Sequence, residues 1–127
     1  MKRRVASFEE LDVYKLACEL QQEIFQISQA WPKAEQYSLT DQVRRASRSI
    51  GANIAEAWAK RKYVAHFVSK LSDADGEQNE TRHWLKTALA CEYIVERECQ
   101  TLVAKCRAIG QKLGRMIIDA DSWCTHD

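Results

Sequence analysis

Apolar residues recur along this chain at alternating steps of three and four positions, in four separate segments. This spacing returns to one side of an α-helix, whereas no segment alternates with the period of two that marks a strand. The pattern predicts helices at about residues 8–30, 39–61, 63–94 and 97–120. The predicted seams are Val13, Ala17, Leu20, Ile24, Ile27 and Trp31; Leu39, Val43, Ala46, Ile50, Ile54 and Ala57; Val64, Phe67, Leu71, Ala74, Leu85 and Ala88; and Cys99, Leu102, Cys106, Ile109, Leu113, Met116 and Ala120.

Residues that favour helix ends lie at the boundaries of the first two segments. Ser7 and Glu10 have the spacing of a capping box, in which the two side chains satisfy free backbone N–H groups. Pro32 ends the first helix, because the residue before a proline avoids helical backbone angles. Ser38 followed by Asp41 predicts the start of the second helix in the same way. Residues 121–127 are expected to form a frayed tail.

Each predicted helix carries an apolar stripe that has to be buried against other helices, and the connections between the helices are short. These two features are typical of an all-α fold, the antiparallel up-down four-helix bundle. The length of 127 residues suits one domain, so we expect residues 1–127 to form a single bundle.

The formal net charge of +1 conceals an uneven distribution along the chain. Residues 40–62 contain six Lys or Arg and two acids, whereas residues 63–100 contain four Lys or Arg and seven acids. A basic second helix therefore precedes an acidic third helix. A polyanion should prefer the second helix.

The cysteines and the N-terminal sequence indicate a cytoplasmic protein. The five cysteines include no Cys-x-x-Cys pair and are expected to be reduced thiols. The N-terminal segment has no apolar core of signal-peptide length, and no run of about 18 apolar residues is present to span a bilayer. We therefore expect a soluble cytoplasmic protein with no membrane partner.

Arginines on the outer side of the second helix are the first candidates for nucleic-acid binding. They are Arg44, Arg45 and Arg48, and the secondary candidates are Lys60, Arg61 and Lys62 together with Lys2, Arg3 and Arg4. Contacts from such residues to phosphates are independent of sequence and sensitive to salt. The alternative is a solvated charged face, or one that is paired with the acids of the third helix.

Small residues continue the same outer side of the second helix. Ala52, Ala55 and Ala59 would allow another backbone to approach closely, which makes them candidates for a contact between subunits. The alternative explanation is the high helix propensity of alanine.

Polar residues interrupt the middle of the second and third helices. Asn53, Glu56, Gln78 and Thr81 are expected to meet in a buried polar layer. Such a layer fixes the register of the helices, because a buried amide without a partner costs about 1–3 kcal/mol. A ligand pocket is the other interpretation of this layer.

Residues with catalytic potential are sparse. Glu80 and His83 have the Glu-x-x-His spacing found in di-metal helical bundles, but the second pair that such a site requires is missing, since Tyr63 precedes His66 and Trp123 precedes His126. The serines and cysteines form no recognisable nucleophile motif, and no glycine-rich phosphate loop is present. We therefore expect a protein that is not an enzyme and that needs no metal or cofactor.

Several short motifs together resemble one known family. The residues that carry the resemblance are Phe8, Leu11, Val13 and Tyr14; Leu39, Thr40, Arg44, Arg45 and Ala46; Ser49, Ile50, Asn53, Ile54, Ala55 and Glu56; and Gly76, Glu80 and Thr81. The chain resembles, over residues 8 to about 118, the four-helix bundle proteins encoded by intervening sequences in bacterial large-subunit ribosomal RNA genes. That family also includes accessory variability determinant proteins of diversity-generating retroelements. Gly51, Ala57 and Ala59 depart from its usual pattern.

The resemblance implies a homo-oligomer, typically a pentameric ring with a basic surface. It also implies binding to RNA or DNA and, in retroelement members, to a reverse transcriptase. Together with the residue pattern it favours a non-catalytic bundle that binds nucleic acid without sequence specificity. The alternative is a structural or protein-interaction module that does not bind nucleic acid.

Overall fold

The computed structural model describes residues 5–125 and has four long helices. They are α1 (Asp12–Ser28), α2 (Leu39–Ala59), α3 (Val64–Ala90) and α4 (Glu96–Ile118), followed by a short α5 (Ala120–Trp123). Single 3₁₀ turns lie at Phe8–Glu10 and Lys33–Glu35. No strand occurs within the described residues, and the prediction of an all-α four-helix bundle is confirmed.

Each long helix packs against two neighbours and lies diagonally opposite the third helix. Helix α1 packs against α2 and α4, and α3 packs against the same two helices. Residues near the end of one helix meet residues near the start of the next, as Phe25 meets Arg44 and Leu85 meets Cys99. The bundle is therefore antiparallel. As a result, α2 and α4 lie diagonally across the core and direct their outer faces to opposite sides.

The predicted apolar seams form the core of the bundle. Phe67, Leu20, Ile50 and Leu113 are completely buried, one from each long helix. Ile27 and Val64 are the two seam residues that remain half-buried, and both lie near a helix end. The burial pattern follows the step of three and four positions because this step keeps one side of each helix turned inward.

The first helix begins later than the capping-box spacing predicts. Ser7 Oγ accepts a hydrogen bond from Glu9 N at 3.2 Å, but this bond caps only the 3₁₀ turn. Leu11 then has extended backbone angles and is buried, so that the chain bends before α1 starts at Asp12. Glu10 reaches back to the backbone N–H of Ala6 (3.5 Å), one residue before Ser7.

Helix α2 starts at the predicted residue but has a different cap. Ser38 makes no capping hydrogen bond and instead donates to Glu35 Oε1 at 2.6 Å. The same carboxylate oxygen accepts from Leu39 N at 3.4 Å, while Glu35 Oε2 accepts from Tyr93 Oη at 2.8 Å. Glu35 therefore joins the start of α2 to the loop between α3 and α4. These bonds, the one from Ser38 foremost, hold the pKa of Glu35 below its ordinary value.

Helix α3 ends four residues before its predicted end, in a Schellman motif. Tyr93 N donates to Ala88 O and Glu92 N donates to Leu89 O, each at 2.9 Å. Glu92 occupies the left-handed position of this motif with φ 64°. Glycine is the favoured residue at that position, because a side chain with a β-carbon is strained there.

We expect Glu92→Gly to stabilise the protein relative to Glu92→Ala by about 1 kcal/mol. Glycine removes the strain of the left-handed backbone, whereas alanine removes the same carboxylate but keeps the β-carbon. Urea denaturation of both variants measures the difference. Equal stability of the two variants would show that the left-handed backbone at residue 92 carries no strain.

The buried polar layer contains two of the four predicted residues. Gln78 and Thr81 are buried, and Thr81 Oγ1 donates to Glu77 O within its own helix. Asn53 is half-buried and donates to Ser49 O, also within its own helix. Glu56 is exposed and lies 3.6 Å from Lys70 Nζ, so the expectation that it is buried was wrong. Glu56 lies on the outer side of α2, away from the Ile50–Ile54–Ala57 seam.

Gln78 packs against α4 at Gly110. A β-carbon at Gly110 would lie 2.9 Å from Gln78 Nε2 and 3.3 Å from Asp75 Oδ1. Gln78 Nε2 donates to Asp75 Oδ1, while Gln78 Oε1 is buried without a partner within the described residues. The layer is thus a contact between α3 and α4, in which Gly110 leaves room for the Gln78 amide, and the α2 residues do not enter it.

The segment after α4 is more ordered than a frayed tail. The Trp123 ring packs edge-on against Trp58 with centroids 6.1 Å apart, and Cys124 is buried. Thr125 N donates to Arg61 O at 3.1 Å. The prediction of fraying was therefore wrong for residues 121–125, because these contacts fix the segment to the end of α2. Residues 126 and 127 lie outside the described residues.

Candidate nucleic-acid interface

The three arginine side chains of α2 point toward two different neighbouring helices. Arg44 and Arg48 lie on the α1 side, with their guanidinium carbons 4.8 and 5.6 Å from the centre of the Phe25 ring. Arg44 is half-buried and donates to Ser28 Oγ at 2.9 Å and to Phe25 O at 3.4 Å. Part of its hydrogen-bonding capacity is therefore used to join α1 to α2.

Arg45 faces α3. Burial and the neighbouring Glu80 raise the pKa of Glu77, and the positive charge of Arg45 opposes that rise. Arg45 is exposed but lies in the field of the α3 acids. The charge of this arginine is thus partly offset within the bundle, whereas that of Arg48 is not offset in this way.

The secondary candidates lie where α2 joins α3. Arg61 stacks on the Trp58 ring at 3.7 Å and donates to Trp58 O at 2.9 Å, so it also serves to pack the end of the bundle. Lys60 and Lys62 are exposed, and Lys62 Nζ lies 5.7 Å from the centre of the Tyr63 ring. The predicted candidates Lys2, Arg3 and Arg4 lie outside the described residues.

The alanine stripe of α2 faces outward. Ala52 and Ala59 are exposed and Ala55 is half-buried. The stripe continues toward Tyr63, whose side chain is 56% exposed. Between the arginines and the loop, α2 therefore offers a surface of small side chains with an aromatic ring at its end.

A second basic face, which our sequence analysis missed, lies on α4. Residues 97–118 contain five Lys or Arg and one acid, Glu98. Arg97, Arg107, Lys112 and Arg115 are exposed, and none of them lies within ion-pair distance of a carboxylate of the described residues. We call these four residues the α4 basic face. A charge count over the fourth predicted helix would have found it.

Other cations on the surface are neutralised by neighbouring acids. Lys105 points toward α1 and pairs with Glu23 and, at 2.9 Å, with Glu19. These bonds, first the one to Glu23, raise the pKa of Lys105 above its ordinary value. Lys70 pairs with Glu56 and with Asp73. The four cations of the α4 basic face differ from these two lysines, because no acid of the described segment pairs with them.

The Glu80–His83 pair lies on the surface of α3. Glu80 Oε2 accepts from Trp84 Nε1 at 3.3 Å, and the His83 ring packs edge-on against Trp84 with centroids 4.7 Å apart. His66 lies against Tyr63 at the other end of the helix. Within residues 5–125 no group of three or more His, Cys, Asp or Glu is arranged to hold a metal ion.

The buried thiols are unsuited to act as nucleophiles. Burial raises the pKa of Cys106 to about 12 and also raises the pKa values of Cys99 and Cys124. The thiolate is the nucleophilic form, so these side chains are unreactive at neutral pH and serve as small core residues.

No helix of the described segment has the length and apolar character required to cross a membrane. The fold and surface define a small antiparallel helical bundle with a basic face that lacks carboxylate partners among residues 5–125. The family model for the 23S rRNA-intervening sequence protein matches residues 9–115, and the chain belongs to this family.

A solved structure agrees with this assignment. It is a crystal structure from Bacteroides thetaiotaomicron, described as a protein with unknown function from the S23 ribosomal protein family. The two chains are 28% identical, the match covers 83% of this chain and 94% of that chain, and the TM-score is 0.74. No curated protein matches this chain.

Proposed function

We propose that the protein is a non-catalytic homo-oligomer that binds RNA or DNA through its exposed basic residues, without sequence specificity. The observation that carries the proposal is the α4 basic face, where four exposed cations have no carboxylate partner among the described residues. Phosphates are the natural partners of such unpaired cations, and their contacts carry no sequence information.

The α2 arginines have a smaller part in this proposal than the sequence suggested. Arg44 is held by Ser28 and Phe25, and Arg45 lies in the field of the α3 acids. Arg48 and the two exposed lysines at the end of α2 remain available as auxiliary contacts. We therefore assign the principal phosphate contacts to α4.

The placement of the two faces supports assembly and binding at the same time. Helices α2 and α4 occupy opposite corners of the bundle. If the alanine stripe of α2 contacts another subunit, the α4 basic face points away from that contact. A ring, with a pentamer as the expected size, would then repeat the α4 basic face in every subunit and strengthen the field of a nearly neutral chain.

Titration of labelled single- and double-stranded RNA and DNA with the protein at two salt concentrations tests the proposal. We expect a dissociation constant of about 1 µM at low salt. The slope of log affinity against log salt concentration should be about −0.7 to −0.9 for each phosphate neutralised. The slope reports how many cations take part. A lack of binding at low salt would favour the alternative, a structural or protein-interaction module.

The resemblance to accessory proteins of retroelements makes a reverse transcriptase a further candidate partner. A reverse transcriptase gene beside the gene for this chain, followed by co-purification of the two proteins, supports that part of the proposal. Failure of the two proteins to associate removes the partner and leaves nucleic-acid binding to be judged by the titration.

A further inference from the structure

A polar pocket lies where α1 ends and α2 begins. Its wall includes Ser28 at the end of α1, Lys33 in the connecting 3₁₀ turn, and Thr40 and Arg44 on the first turns of α2. We call it the α1–α2 pocket. None of the residues that line it is acidic.

Arg44 is held in a fixed position in the pocket wall. Its Nε donates to Ser28 Oγ, one terminal nitrogen donates to Phe25 O, and the Phe25 ring supports the guanidinium plane. The second terminal nitrogen makes no hydrogen bond within the described residues. A guanidinium that is immobilised in this way loses little side-chain entropy when it binds an anion.

The remaining wall supplies further donors that lack acceptors. The Lys33 ammonium is exposed and unpaired, and the Thr40 hydroxyl has no partner within the described residues. Trp31 is 7% exposed, and its Nε1 is buried without an acceptor. A buried donor that lacks an acceptor costs about 1–3 kcal/mol. Because Trp31 is one of the lining residues, its indole N–H is a candidate donor to an oxyanion that enters the pocket.

The helix itself adds a favourable field. The pocket lies at the N-terminus of α2, a helix of 21 residues whose first backbone N–H groups lack intrahelical acceptors. Leu39 N is satisfied by Glu35, whereas no bond to the N–H groups of Thr40 and Asp41 is found in residues 5–125. The acids at this helix end are Glu35 in the loop and the exposed Asp41 on the first turn of α2. The Glu35 oxygens are already bonded to Ser38, Leu39 and Tyr93.

We propose that the α1–α2 pocket binds a phosphate group, held between Lys33 and Arg44 at the N-terminus of α2. A phosphate has enough oxygens to meet donors from the loop, from α2 and from Arg44 at once, whereas a carboxylate has two. The group is either free phosphate or the terminal phosphate of a nucleic-acid strand. The site stands apart from the α4 basic face and does not depend on it.

Titration of the ¹⁵N-labelled protein with inorganic phosphate, with chloride replaced to keep ionic strength constant, tests the proposal. We expect NMR shifts confined to residues near the pocket, among them the Trp31 indole N–H, which Trp31→Phe identifies. Lys33→Gln and Thr40→Val should each weaken binding about tenfold, because each removes one donor that bonds the phosphate. Lys15→Gln removes the same charge from an exposed position near the start of α1, at the other end of the bundle, and should leave binding unchanged.

The variants avoid Arg44, whose side chain also joins α1 to α2, so the measurement does not depend on a variant that loosens the fold. Phosphate shifts that spread over all exposed lysines and arginines, or an equal loss of affinity in Lys33→Gln and Lys15→Gln, would overturn the proposal. So would the absence of any change at the Trp31 indole N–H.

Competition with two otherwise identical oligonucleotides separates the two sources of the phosphate. If a 5′-phosphorylated strand displaces phosphate at least tenfold better than a 5′-hydroxyl strand, the pocket holds a strand end. If the two strands compete equally, the pocket holds free phosphate. Phosphate binding in the pocket by a protein that binds no oligonucleotide would support this site while contradicting the proposed function.

Discussion

Charge reversal of Arg107, Lys112 and Arg115 to glutamate should lower the affinity for nucleic acid roughly 100- to 1,000-fold. Three phosphate contacts at about 1–1.5 kcal/mol each account for this loss. The change also removes about three cations from the salt dependence, so the slope of log affinity against log salt should fall by about 2–3. Titration of the variant at several salt concentrations measures both quantities.

A second triple variant on α2 provides the matched control for this experiment. This variant changes Arg45, Arg48 and Lys60 to glutamate. It alters the net charge by the same amount, but at the opposite corner of the bundle. We expect a loss of about tenfold or less from this variant, because Arg48 and Lys60 are only auxiliary contacts and Arg45 acts on the nucleic acid only through a screened field. Equal losses in the two variants would mean that binding follows net charge and that the α4 basic face has no special role. Circular dichroism checks that both variants stay folded.

Ala52→Glu should dissociate the assembly into subunits, the second large effect that we expect. Ala52 is exposed on the outer face of α2, so a carboxylate there does not disturb the core of the isolated bundle. In a close contact between helices, however, the same carboxylate would be buried without a partner at a cost of several kcal/mol. Light scattering should report about 14.7 kDa for the variant and about five times this mass for the unchanged protein.

Ala104→Glu is the control for the assembly experiment. Ala104 is exposed on α4, so the variant introduces the same side chain at the opposite corner. It should keep the mass of the assembly, and it should weaken nucleic-acid binding through its position within the α4 basic face. Retention of the full mass by Ala52→Glu would remove the alanine stripe as the subunit contact and leave its alanines to be explained by helix propensity.

The helices and their buried sides could be predicted from the sequence because the information is local. The step of three and four positions between Leu20 and Ile24 or between Ile50 and Ile54 depends only on the pitch of an α-helix. Helix ends were less predictable. Ser38 has the sequence of a cap, yet Glu35 caps α2, since Tyr93 from a distant loop holds that carboxylate in place.

The candidate site was only partly accessible to sequence reasoning. The α4 basic face is visible in the sequence as a charge imbalance over residues 97–118. Which of its cations are free is not visible, because Lys105 is paired with Glu19 and Glu23 of another helix. The α1–α2 pocket was also invisible, since Lys33 and Arg44 lie 11 positions apart and meet only through the fold of the loop.

The sequence by itself thus determined the class of the fold, the residues of its core and the presence of basic helices, since hydrophobic periodicity and charge are properties of single segments. Tertiary structure decided which polar and charged groups are free to act. It buried Gln78 and left Glu56 on the surface, and it fixed Arg44 against Phe25. It paired Lys105 with acids of α1 but left the α4 basic face without a carboxylate partner among residues 5–125. The physical reason is that acids and hydrogen-bond acceptors from other helices offset a charge before an external partner can use it. Packing decides which of these groups lie beside each charge.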